Sequence, residues 1–180
     1  MLRLLLILTV TLAASPALAG ASAWQELLPG VMARLISTDV VTGGRLLAGF
    51  ELDLPEGSKT YWRNPGETGI PPIFDFSTSS GLSNPAIAWP HPLAERDQGY
   101  LDYVYRGHLV LPLKVSVAGA APSLGVKVTL GICSDVCVPA TASFVLPLNL
   151  SRPDEGQGIR LEQAVADVPV PWDRPQPALG

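Results

Sequence analysis

The sequence predicts an all-β sandwich or barrel. Three observations carry that reading. Several short runs alternate apolar and polar residues with the period of two that marks a half-buried strand. Gly and Pro number 17 and 18 in 180 residues, so turns are frequent and long helices few. A single stretch, Ile159 to Val168, reads as a helix. No internal repeat is found.

The alternation is clearest from Arg45 to Leu54. Leu46, Ala48, Phe50, Leu52 and Leu54 share one parity, with Glu51 and Asp53 on the other. Val31 to Val41 precedes it as a β-branched strand, across a Gly43-Gly44 turn. Lys59 to Trp62 reads as a short strand that Asn64-Pro65-Gly66 turns into a loop. Ile73 to Phe76 and Ala86 to Trp89 read as short strands, and Ser77 to Asn84 as turn-rich. Ala94 to Gly99 reads as a charged loop. Tyr100 to Val117 alternates again, with Leu109, Leu111, Leu113, Val115 and Val117 on one face. Pro112 faces the other way and predicts an edge or a bulge. Val126, Val128, Leu130 and Ile132 form the inward face of the next strand. Ala142 to Leu150 closes a hairpin on it.

The N-terminus reads as a secretory leader over residues 1–23. Arg3 supplies the charged start, Leu4 to Ala14 the apolar run, and Ala17-Leu18-Ala19 or Ala21-Ser22-Ala23 the small-residue cleavage signal. The apolar run is shorter than the roughly 20 residues a spanning helix needs. No cysteine follows it to carry a lipid anchor. The expectation is an exported, soluble, periplasmic protein. One sandwich domain is expected over residues 24–152, followed by an extension, 153–180, that is partly helical and then Pro-rich. Net charge is −4, with no basic patch, which argues against nucleic acid and anionic membrane surfaces. Serines and aspartates are scattered without a supporting histidine motif or phosphate loop, so nothing points to hydrolysis.

The two cysteines of the chain, Cys133 and Cys137, sit in Gly131-Ile132-Cys133-Ser134-Asp135-Val136-Cys137-Val138-Pro139. Strand parity puts Cys133 on the outer face of its sheet, with Cys137 returning roughly opposite. The pair is expected within the roughly 4.4–6.8 Å between Cα atoms that a disulfide needs. Export keeps such a bond oxidised. As a staple it would contribute only about 2 kcal/mol, because the loop it closes is so short. A redox couple needs the pair to be close, reversible and reachable by a partner thiolate. Cu(I) could take both thiolates with Met32, His91 or His108 as a further ligand, though these are distant in sequence. Redox couple, hairpin staple and metal site all stay open on spacing alone.

Several motifs in order then resemble a family. Lys59-Thr60-Tyr61-Trp62-Arg63-Asn64-Pro65-Gly66-Glu67-Thr68-Gly69-Ile70-Pro71-Pro72 resembles the opening motif of the N-terminal, DsbD-alpha-type domain of periplasmic thiol:disulfide interchange proteins. The version it resembles is that of the suppressor-of-copper-sensitivity protein ScsB. Trp89-Pro90-His91-Pro92, Gly99-Tyr100, Val104-Tyr105-Arg106-Gly107, Leu109 to Leu113 and Cys133 to Pro139 fit the same pattern, from about Val31 to Leu150.

The resemblance implies an immunoglobulin-like β-sandwich whose cysteine pair relays electrons. The donor would be a membrane thiol reductase or thioredoxin-like domain. The acceptor would be a periplasmic disulfide isomerase or other thiol protein. It implies that Cys137 forms the mixed disulfide and Cys133 resolves it, with no cofactor and no metal ligands. The matching cap is Glu95, Arg96, Asp97, Gln98, Gly99 and Tyr100, with Tyr100 in place of the family's shielding phenylalanine. Tyr103, Tyr105 and Pro139 are supporting positions. The three-residue spacing between the cysteines is of the ScsB type. No membrane helices and no Cys-x-x-Cys domain are read in the chain, so a separate partner is expected to supply the electrons. Two other functions remain as alternatives: a copper-tolerance protein that binds Cu(I), and a non-catalytic immunoglobulin-like binding module with a structural disulfide.

Overall fold

The computed structural model describes residues 20–170. Residues 1–19, which hold most of the expected leader, and residues 171–180, the end of the expected Pro-rich tail, lie outside them. Eleven strands and one helix follow in order: β1 Gln25–Leu28, β2 Val31–Thr42, β3 Arg45–Asp53, β4 Thr60–Gly66, β5 Ile73–Asp75, β6 Leu82–Ile87, β7 Leu93–Asp97, β8 Tyr100–Tyr105, β9 His108–Val117, β10 Ser123–Cys133, β11 Cys137–Pro147 and α1 Glu155–Ala166. They form a five-stranded sheet ordered β1-β2-β3-β9-β6 and two three-stranded sheets, β11-β10-β5 and β4-β8-β7. Every strand pairing is antiparallel.

The five-stranded sheet packs face to face with β11-β10-β5. Period-two alternation decides what lies between them. Leu46, Ala48, Phe50 and Leu52 of β3 meet Leu111, Leu113 and Val115 of β9 and Val126, Val128, Leu130, Phe144 and Leu146 of the β10–β11 hairpin in one buried cluster. Phe50 sits at its centre, edge-on to Phe74 and Phe144 at 5.5 Å between ring centroids.

The opposite face of the five-stranded sheet is covered by α1. Asp154 caps the helix, accepting from the backbone N–H of Gln157 at 3.0 Å. Leu161 and Ala164 pack on Ala21, Ile36 and Val110. Gly49 makes this seat possible, since a Cβ there would stand 2.6 Å from Leu161 Cδ2. Leu161→Ala is expected to lower stability by about 2–5 kcal/mol. The check is a lowered denaturation midpoint at unchanged slope, with cysteine reactivity unaltered.

Several expectations are corrected by this architecture. Glu51 was expected to face outward, but α1 makes its face a second interior and leaves it fully buried. The Ala94 to Gly99 loop is instead strand β7 and the turn into β8. Asp97 pairs Tyr100, and Gln98 and Gly99 both take positive φ, 49° and 94°, as a two-residue hairpin turn requires. The strand read from Tyr100 to Val117 is broken into β8 and β9 at Arg106-Gly107. Pro112 is not on an edge strand, for β9 lies between β3 and β6. The irregularity falls on β6, whose pairing slips between Ser83 and Ala86 at Asn84-Pro85. Asn64-Pro65-Gly66 stays within β4, whose pairing with β8 slips between Tyr61 and Gly66. The helix begins at Glu155 rather than Ile159, because the Asp154 cap outweighs Gly156 and Gly158.

Candidate functional site

The site is built at the closed end of the β10–β11 hairpin. The two strands pair in unbroken register from Ser123↔Pro147 to Cys133↔Cys137. That register places the cysteines directly opposite each other, joined as a disulfide with Cα atoms 4.0 Å apart. The separation is shorter than the expected 4.4–6.8 Å, because a directly opposed pair at a hairpin end approaches more closely. Ser134, Asp135 and Val136 close the loop.

Parity does turn Cys133 away from the main core. It does not put Cys133 at the surface, which corrects the sequence expectation. Cys133 is 1% exposed, in a cluster with Tyr61, Val104 and Ile70. Its outer face is roofed by the β4-β8-β7 sheet. Cys137 is exposed, flanked by exposed Val136 and Val138. The two residues of one bond thus differ sharply in burial.

The roof is held by backbone and side-chain bonds at the start of β4. Lys59 and Cys133 exchange both backbone hydrogen bonds, at 2.8 and 2.9 Å. Thr60 Oγ1 donates to the Gly131 carbonyl at 2.9 Å. Tyr61 follows, and its hydroxyl lies 3.1 Å from Cys133 Sγ and 3.6 Å from Cys137 Sγ. A disulfide has no hydrogen, so the phenol donates. Burial, helped by the charges of Asp102 and Glu95, pushes the Tyr61 phenol above its ordinary range. It therefore stays protonated and remains a donor.

Two glycines let the β4–β5 loop close down on this tyrosine. A Cβ on Gly69 would stand 2.4 Å from the Tyr61 ring, and one on Gly131 would stand 2.5 Å from Ile70. Asp102 on β8 ties the loop down, accepting from Thr68 N at 2.9 Å and Thr68 Oγ1 at 2.5 Å. Burial would raise the Asp102 pKa, but the hydrogen bonds from Thr68 outweigh it and hold the carboxyl below its usual range.

A sequence profile described as "Thiol:disulfide interchange protein DsbD, N-terminal" matches residues 25–149. The chain belongs to that family. A solved structure described as the N-terminal periplasmic domain of ScsB from Proteus mirabilis is similar, at 29% identity and a TM-score of 0.69. The similarity covers 84% of this chain and 60% of that one, so this chain spans less than two thirds of its neighbour's length. No curated protein matches the chain.

In this DsbD N-terminal domain, the expected cap is the β7–β8 hairpin. Leu93, Glu95 and Asp97 pair with Val104, Asp102 and Tyr100. All six therefore share the face that Val104 turns toward Cys133. Glu95 anchors the hairpin base. It accepts from Arg106 Nε at 2.5 Å, Arg106 Nη2 at 3.0 Å and Lys59 Nζ at 3.4 Å. The Arg106 hydrogen bond holds its carboxyl below the usual range. Arg96, on the hairpin's other face, Asp97, Gln98 and Gly99 are exposed at the tip. Tyr100 is 53% exposed there, and the hydroxyl that reaches the sulfurs is that of Tyr61. Tyr103 packs on Trp62 at 5.8 Å. Tyr105 lies in the main core and donates to the Pro90 carbonyl at 2.8 Å. Pro139 pairs buried Gly131 and is itself exposed beside Cys137. His108 Nε2 lies 2.8 Å from Glu51 Oε1, away from the cysteines. Among the described residues no helix is long and apolar enough to cross a membrane.

Sequence reasoning missed Tyr61. Its signal was available: Tyr61 and Trp62 are adjacent strand residues and must face opposite ways, and only one can lie over the hairpin. It also read the β7–β8 turn as a loop, though Gln98-Gly99 stands between residues of strand character.

Proposed function

We propose that Cys133 and Cys137 are a redox couple that relays two electrons between periplasmic thiol proteins. The observation that supports this most is the asymmetry of the pair: Cys137 is exposed and Cys133 is 1% exposed. Thiol–disulfide exchange needs in-line approach of a thiolate to one sulfur, and Cys137 is the sulfur that can be approached.

The reductive half proceeds as follows. A donor thiolate attacks Cys137 Sγ, the Cys133–Cys137 bond breaks, and Cys133 leaves as a thiolate into the Tyr61 hydrogen bond. The donor's second thiolate attacks the donor sulfur of the mixed disulfide. The donor departs oxidised and Cys137 departs as a thiolate. In the oxidative half, Cys137 attacks an acceptor disulfide. Cys133 then attacks Cys137 Sγ, restoring the internal bond and releasing the acceptor as a dithiol. The donor would be a membrane thiol reductase or a thioredoxin-like domain, and the acceptor a disulfide isomerase or another thiol protein. Glu95 to Tyr100 would restrict which partners reach Cys137.

The test is trapping in a periplasmic extract. Cys133→Ala is expected to accumulate mixed disulfides through Cys137, and Cys137→Ala to trap none. Failure of both variants to trap anything, with a reduction potential for the native pair below about −300 mV as in structural disulfides, would reject the relay.

A further inference from the structure

We infer that an export peptidase cleaves this chain between Ala19 and Gly20, and that the ammonium it frees is seated beside Asp154. This rests on the reading of the protein as exported. Two small-residue signals compete in the sequence, ending at Ala19 and at Ala23. The fold distinguishes them.

Gly20 to Ser22 extend the edge of the five-stranded sheet along β2. Ser37 N donates to the Gly20 carbonyl at 2.7 Å and Ser22 N to the Leu35 carbonyl at 2.9 Å. Leu35 N donates to Ser22 Oγ at 3.0 Å. Ala21 bridges Ile36 and is buried against Val110, Leu161 and Ala164 beneath α1. Cleavage after Ala23 would discard all of these contacts. It would leave β2 unpaired from Leu35 to Ser37, beyond the stretch that β1 covers, and the helix seat open. Cleavage after Ala19 keeps every one.

The same corner is shaped for a chain end. Gly20 has φ +70°, and a Cβ on it would stand 2.6 Å from the Ser37 carbonyl oxygen and 2.7 Å from Asp154 Cβ. Glycine alone fits. Asp154 Oδ1 caps α1, while Oδ2 lies 3.1 Å from that Cβ position, on the side of Gly20. Asp39, two residues beyond Ser37, is also buried, and neither of its carboxylate oxygens has a hydrogen-bond partner among the described residues. Among the described residues neither Asp154 nor Asp39 is in an ion pair, although Arg45 and Lys114 line the same cavity as Asp154. Before cleavage the Gly20 nitrogen is a neutral amide. Hydrolysis adds water across the Ala19–Gly20 bond; the carboxylate leaves with Ala19, and the new amine on Gly20 takes a proton. The ammonium so formed would pair with Asp154, whose Oδ2 lies on the Gly20 side of the cap, and would tie the start of the mature chain to the cap of its C-terminal helix.

The experiment expresses the full chain with its leader in a bacterium and recovers it from the periplasmic fraction. Intact mass and N-terminal sequencing are expected to show a chain beginning at Gly20. A start at Trp24 overturns the assigned site while leaving export standing; an uncleaved Met1 overturns both. Asp154→Asn, which preserves the helix cap, is then expected to lower the melting temperature of the Gly20-initiated chain by about 2–4 °C. It should barely change that of a chain carrying Ala19 as an extra first residue. Equal losses in the two chains would overturn the pairing with Asp154.

Discussion

Glu51→Gln is expected to destabilise the domain by about 3–5 kcal/mol, as breaking a buried ion pair from one side does. Glu51 is fully buried between β3 and α1. It accepts from Arg34 Nε at 2.6 Å, Arg160 Nη1 at 2.6 Å and His108 Nε2 at 2.8 Å. Arg34 is itself buried and stacks over Trp24, with Cζ 4.4 Å from the ring centroid. Glutamine would leave that guanidinium without a countercharge in a water-poor site. Arg160 is about half exposed, so Arg160→Ala is expected to cost only up to about 1 kcal/mol.

The pH dependence follows from the same cluster. Burial alone would raise the Glu51 pKa. The hydrogen bonds from Arg34 and His108, and the charges of Arg34 and Arg160, outweigh burial and hold it below the ordinary value of 4.5. A folded-state pKa below the unfolded one stabilises the native state above the unfolded pKa. That contribution is lost as pH falls through the folded value. Urea titrations of both proteins between neutral and acidic pH should show the native domain losing more stability on acidification than the glutamine variant. Equal midpoints at neutral pH, or equal acid slopes, would refute the role assigned to Glu51.

The second large effect concerns the roof over the disulfide. In a Cys137→Ala background, Cys133 is expected to resist alkylation, because it lies beneath Tyr61, Val104 and Ile70. Adding Tyr61→Ala should raise the alkylation rate at least about tenfold. Tyr61→Phe keeps the ring and deletes the hydroxyl 3.1 Å from Cys133 Sγ. A hydrogen bond to a charged group contributes about 1.5–3 kcal/mol. Losing it should therefore weaken Cys133 as a thiolate leaving group and slow exchange about tenfold or more, with little change in shielding. The two variants separate cover from donation. If alanine left Cys133 as slow to alkylate as before, Tyr61 would not be its shield. If phenylalanine exchanged at the native rate, the hydroxyl would have no part in the chemistry.

The strands were legible because alternation is a local property. Leu46 to Leu54 and Val126 to Ile132 declare their core face without reference to any partner. The cysteine hairpin was equally legible from its spacing and flanking turn. The mistakes fall where a second layer covers a face that alternation marks as outward. Glu51 reads as solvent-facing until α1, more than a hundred residues later in the chain, is laid over it. Cys133 reads as a surface thiol until Tyr61, 72 positions earlier, is folded onto it. Pro112 reads as an edge residue because its missing N–H is local, whereas the place of β9 between β3 and β6 is not.

The sequence by itself determined an all-β domain, a hairpin carrying a close cysteine pair, and motifs in the order of the DsbD N-terminal family. Only the tertiary structure decided which cysteine is buried and which is exposed. Parity says which side of a sheet a sulfur is on, but accessibility depends on what distant segment packs there. Here that segment is β4, pinned by Lys59 and Thr60 to the end of β10, so that Cys133 is buried while Cys137 stays exposed.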